Sequence, residues 1–112
     1  MPKSPGQLTT AFLSGILLSL PSLAEDLSFT ITIRDHRFEP AEIVVPAGKR
    51  ATLIVKNLDA SAEEFESRDL RIEKVIPPRK EARLLLRPLK PGTYEFVGEF
   101  HEDTARGRIV AK

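Results

Sequence analysis

The chain has 112 residues, with 17 Lys and Arg against 16 Asp and Glu, 2 His, 6 Gly, 9 Pro and no Cys or Trp. The length suits one domain, and a net charge of +1 offers none of the basic excess that nucleic-acid binding uses. Without cysteine the fold cannot depend on disulfides, and any metal must be held by carboxylate and imidazole.

In chain order, Met1 to Gln7 carries one charge, Lys3, and precedes an apolar run from Leu8 to Leu20. Ser22 and Ala24 then give the small-residue alternation that a signal peptidase reads. The run is shorter than the ~20 residues needed to cross a bilayer, so residues 1–24 are expected to be a cleaved export signal. The expected mature domain is residues 25–112, soluble in the periplasm and without membrane insertion. With Lys3 removed it carries 16 basic and 16 acidic side chains.

From residue 25 the apolar positions recur with period two, in short runs broken by Pro, Gly and Asp. Phe29–Ile33, Glu42–Val45, Arg50–Lys56, Glu64–Glu66, Leu70–Ile76, Ala82–Arg87, Thr93–Phe100 and Arg108–Ala111 read as strands. Pro46-Ala47-Gly48 and Pro91-Gly92 read as turns, and Pro77-Pro78 as a strand end. Seven or eight strands without helical spacers predict an all-β, antiparallel Greek-key sandwich.

Candidate chemistry concentrates in the second half. Glu63, Glu64, Glu66, Asp69 and Glu73 lie close together in sequence, and Glu64 and Glu66, two apart on a strand, share a face at about 6.5 Å. Glu99 and His101 have the same spacing. Carboxylates gathered without counter-charge repel one another, a cost that a cation removes. Solvated strand residues with Arg68, Arg71 and Lys74 as neighbours are the plainer alternative. His36 reads as a surface histidine, Tyr94 as a core residue sharing a face with Phe96, and Glu102–Ala105 as a polar turn. Ser28, Ser61 and Ser67 lack the glycine-elbow context of a hydrolase nucleophile.

The succession Phe38-x-Pro40-x-x-Ile43-x-Val45-Pro46-Ala47-Gly48, an Asn57-led loop, Pro91-Gly92-Thr93-Tyr94-Glu95-Phe96 and a closing Gly107-x-Ile109-Val110 resembles the cupredoxin-like domains of exported bacterial proteins. In plastocyanin-like members, that resemblance implies a histidine in the loop after the third strand, a cysteine ending the Gly-Thr-Tyr strand, a histidine three residues on, and a methionine before the last strand. Here Glu63 or Glu64 stands at the first position, Gly98 at the cysteine and Arg106 near the methionine, and only His101 matches. A type 1 copper site therefore cannot be assembled.

Ala62-x-Glu64-Phe65-Glu66, Glu73 and Pro91-Gly92-x-Tyr94 are similar to the cupredoxin-like accessories of periplasmic iron uptake. That resemblance implies iron as the metal, with copper second, an iron permease and a periplasmic iron-binding protein as partners, and Glu64, Glu66 and Glu73 as metal ligands, to which the spacing of Glu99 and His101 adds two more expected ligands. Two further readings stand beside this one. One is an oxidoreductase component assisting Fe(II) oxidation, which needs copper or a second iron as electron acceptor. The other is a metal-free sandwich working only as an interaction module.

Overall fold

The computed structural model describes residues 27–112; the expected export signal over residues 1–24 lies outside the described residues. Among them are nine strands: β1 (Leu27–Arg34), β2 (Arg37–Glu39), β3 (Glu42–Val45), β4 (Ala51–Asn57), β5 (Glu63–Ser67), β6 (Ile72–Ile76), β7 (Glu81–Leu86), β8 (Gly92–Gly98) and β9 (Arg106–Ala111). One sheet has the order β2-β1-β4-β7 and the other β3-β9-β8-β5-β6, so the chain crosses repeatedly between two layers. The all-β sandwich read from the sequence is the observed architecture.

Three details differ from that reading. The sheets are mixed, because β1 runs parallel to β4 and β3 parallel to β9. Period-two patterning reports which face of a strand is buried but is blind to the direction of its neighbour. The additional strand, β2, pairs antiparallel with β1 through the two-residue turn Asp35-His36. Both turn residues have positive φ, 51° and 59°, as the hairpin turn that matches strand twist requires. Lastly, the strand expected to reach Phe100 ends at Gly98, and Glu99–His101 form a single 3-10 turn.

Alternation builds the core. β4 turns Ala51, Leu53, Val55 and Asn57 inward, β7 turns Ala82, Leu84 and Leu86 inward, and β5 does the same with Glu63, Phe65 and Ser67. Phe65 and Phe96 stack at 4.8 Å, and Phe38 meets Phe96 edge-on at 4.9 Å, joining the two layers. Gly107 is what lets Phe96 sit there, since a Cβ at that position would lie 2.5 Å from the ring. Tyr94 is half-buried against this core, as expected, and its hydroxyl donates to the Lys90 carbonyl at 2.7 Å.

Candidate functional site

Strand β5 places successive side chains on opposite faces, and this divides the acidic stretch into an inner and an outer part. Glu63 points inward on the face of Phe65 and is 1% exposed. Its Oε1 accepts the backbone N–H groups of Glu64 and Phe100, each at 2.9 Å, and its Oε2 lies 2.7 Å from His101 Nδ1. With the Glu63 oxygens acting as acceptors, His101 is assigned as the donor from Nδ1.

Gly98 is packed against this pair. A Cβ there would fall 2.6 Å from Glu63 Cδ, 2.7 Å from Glu63 Oε2 and 2.7 Å from Ala105 Cβ. The Glu63 carboxyl thus occupies the space into which a cysteine at position 98 would grow. A type 1 copper centre does not fit these residues: the thiolate is missing, its room is filled, and the imidazole nitrogen facing that room is already bonded. Of the two positions the sequence left open opposite the first histidine, Glu63 is the one that faces His101.

His36 departs from its sequence reading. Its ring stacks on that of His101 with centroids 3.5 Å apart and planes 12° from parallel, so the β1–β2 turn lies beside His101. Asp59 makes this placement. Its Oδ1 accepts the N–H of Asp35 at 2.8 Å and its Oδ2 that of His36 at 2.9 Å, while Thr104 Oγ1 donates to the His36 carbonyl at 2.6 Å. Asp59 is in turn set by buried Asn57, whose Oδ1 accepts the Asp59 N–H at 3.0 Å and whose amide donates to the carbonyls of Ser61 and Ile76. Partial burial works to raise the Asp59 pKa. The His36 and Asp35 N–H groups, helped by the charge of the His36 and His101 rings, outweigh it and hold the pKa below the ordinary value.

The outer face carries the other glutamates. Glu64 and Glu66 are half-buried there, and Glu66 lies directly across from Glu73 in the β5–β6 register. Carboxylate oxygens of Glu64, Glu73 and Glu99 lie within 4.8 Å of one another. Partial desolvation, followed by the charges of Glu73, Glu66 and Glu63, raises the Glu64 pKa. A hydrogen bond shared with Glu99, followed by desolvation and the Glu99 charge, raises that of Glu66 against the opposing pull of Glu73 and Arg68. Beside them runs a groove of about 440 Å³ bordered by Glu66, Glu95, Glu99 and Glu102 with Arg68 and Arg106.

Four of the five expected ligands, Glu64, Glu66, Glu73 and Glu99, therefore gather on one face, while His101 turns its Nδ1 inward to Glu63. The sequence reading weighed Glu63 or Glu64 for the first histidine position but left Glu63 out of the ligand set, and it did not consider Asp59. The alternation that puts Glu63 on the face of Phe65 was the available signal for the first. No local pattern signals Asp59, whose partners lie 23 and 24 residues away.

The family profile described as "Cupredoxin-like domain" matches residues 7–111, and the chain belongs to that family. An uncharacterized protein of Rickettsia prowazekii (strain Madrid E) is 48% identical over 84 residues, covering 75% of this chain and 67% of that protein. Auracyanin A, a "blue" copper protein of Chloroflexus aurantiacus, superposes with a TM-score of 0.68 at 14% identity, over 79% of this chain and 100% of that one. The metal-binding domain of the Cu(I)-exporting ATPase CopA of Streptococcus pneumoniae D39 gives 0.70 at 19% identity, over 81% and 91%. At these identities the two structures share the fold with this chain. Among the described residues no helix is long and apolar enough to cross a membrane.

Proposed function

We propose that this is an exported cupredoxin-like protein that has given up the copper centre and binds iron as cargo on the outer face of β5, β6 and the 3-10 turn, as a periplasmic accessory of ferrous iron uptake. The observation that carries the reading is the convergence of the Glu64, Glu73 and Glu99 oxygens within 4.8 Å, with Glu66 directly across from Glu73 on the neighbouring strand. Four carboxylates, three on neighbouring strands and Glu99 on the 3-10 turn, form an all-oxygen set suited to a hard cation, and neutralising their mutual repulsion contributes directly to affinity. Their exposure matches a cargo that must be received and handed on.

The resemblance of the Ala62–Glu66 segment to iron-uptake accessories supports iron over other hard cations, and an iron permease and a periplasmic iron-binding protein are the partners this reading supplies. His101 serves the site from behind: with Glu63 it ties the 3-10 turn that carries Glu99 to the start of β5. The oxygens that converge are carboxylate oxygens, and the proposed ligand set is the four glutamates.

Anaerobic calorimetric titration of Fe(II), with Mn(II), Zn(II) and Cu(II) in parallel, tests the reading. Glu66→Gln keeps the shape and removes the charge; it is expected to weaken Fe(II) binding by about tenfold or more. Glu42→Gln, which breaks only an exposed pair with Arg108 at 2.8 Å on the distant edge strand, leaves binding unchanged. Equal affinity in the parent and Glu66→Gln, or no binding of any metal, would return the protein to the interaction-module reading.

A further inference from the structure

The end of the sandwich opposite the 3-10 turn carries a surface of the reverse character. The turn after β5, the loop after β7 and the residue preceding β4 surround an open cavity of about 230 Å³. Its floor is aliphatic, from Leu70, Leu86 and Leu89, and its rim is Arg50, Arg71 and Arg87. No acidic residue lines it, and among the described residues none of these arginines enters an ion pair. Three guanidinium groups around an apolar hollow fit an apolar side chain flanked by carboxylates.

The same chain displays such a group. Phe100, on the 3-10 turn, is 50% exposed, and its flanking residues Glu99, Glu102 and Asp103 are exposed too. Strand β5 separates this projection from the hollow. Its first residue, Glu63, accepts the Phe100 N–H, and its last, Ser67, accepts the Leu70 N–H at 3.1 Å in the turn that brings Leu70 and Arg71 to the cavity. The projection and the hollow therefore stand at opposite ends of one strand.

We propose that the protein self-associates head to tail, with Phe100 of one copy entering the arginine-rimmed cavity of a second copy while Glu99, Glu102 and Asp103 meet Arg50, Arg71 and Arg87. A cavity of ~150 Å³ accepts benzene, so this one has room for a phenyl ring. Because the projection and the hollow stand at opposite ends, each copy docked end to end leaves its other end free, and the contact repeats into a chain or ring. One anchor and a charged rim make a contact smaller than a standard interface, and the association is accordingly weak and concentration-dependent.

Sedimentation velocity of the purified protein from micromolar to millimolar concentration tests this. The parent's weight-average mass is expected to rise with concentration, whereas Phe100→Ser and Arg87→Glu, both surface changes, each remain monomeric. Mixing those two variants leaves one intact projection and one intact hollow, and is expected to yield a 1:1 heterodimer and nothing longer, whereas the parent grows past a dimer, which a two-fold dimer would not do. A parent that stays monomeric throughout, or a variant that associates like the parent, would overturn the proposal. So would a monomeric parent that binds vesicles of anionic phospholipid through Arg87, which would assign the hollow to a lipid surface.

Discussion

Glu63 and Glu64 are adjacent and chemically identical, yet they occupy opposite environments. Glu63 is enclosed, and its two oxygens meet two backbone N–H groups and an imidazole. Glu64 faces outward among Glu66, Glu73 and Glu99, where partial desolvation and like charge hold its pKa up. The inner carboxylate has its donors built in and needs no cation; the outer ones have each other and are relieved by one. A carboxylate's role in this protein follows from which face of one strand it occupies.

The largest expected effect comes from breaking the inner side. Glu63→Ala leaves His101 and two main-chain N–H groups without their acceptor, and is expected to cost about 3 kcal/mol, lowering the melting temperature by roughly 12–24 °C for a domain of this size. Circular dichroism melts of Glu63→Ala and Glu64→Ala compare the faces directly. The second variant should melt at or slightly above the parent, and an equal loss in both would dissolve the distinction.

Next in size is Gly98→Ala, whose new methyl group meets the Glu63 carboxyl at 2.6 Å and should destabilise by about 1–3 kcal/mol. Placed in the Glu63→Ala background the same change loses its clash with the carboxyl and keeps only the one with Ala105 Cβ at 2.7 Å, so a double-mutant cycle is expected to show coupling, and additive effects would count against the packing described. Gly98→Cys alone should load with Cu(II) without intense visible absorption. Glu63→His together with Gly98→Cys supplies two imidazoles and a thiolate and is expected to develop that absorption.

Asp59→Ala should cost about 1 kcal/mol by freeing the Asp35 and His36 N–H groups, whose amide hydrogen exchange should accelerate before the rest of β1 responds. Because the folded pKa of Asp59 lies below its ordinary value of 3.8, its stabilisation is present above that pH and is lost as pH falls through the folded value. Asp59→Asn should accordingly flatten part of the acid limb of the parent's stability profile.

The smallest effect lies on the outer face and has the opposite sign. Glu64 and Glu66 have folded pKa values above their ordinary 4.5, so their contribution favours the fold below that pH and is lost as pH rises through the raised values. Metal-free Glu66→Gln should therefore melt slightly above the parent at neutral pH, with the difference vanishing below about pH 4. A lower melting temperature for Glu66→Gln at neutral pH would mean that Glu66 is held by favourable partners, as Glu63 is.

The amino-acid sequence by itself determined the β class, because period-two burial is written into each strand, and it ruled out a thiolate copper site, because Gly98 stands at the cysteine and no other cysteine exists. It also placed Glu64 and Glu66 on one face, since alternation is a property of a single strand. Only the tertiary structure decided that Glu63 meets His101 across 38 residues, that His36 stacks on that same ring, and that β1 and β3 find parallel neighbours. Alternation is local, whereas these contacts depend on which strands become neighbours and in what register. That pairing is set by closing both layers over the core that Phe38, Phe65 and Phe96 fill, which no single segment of the chain encodes.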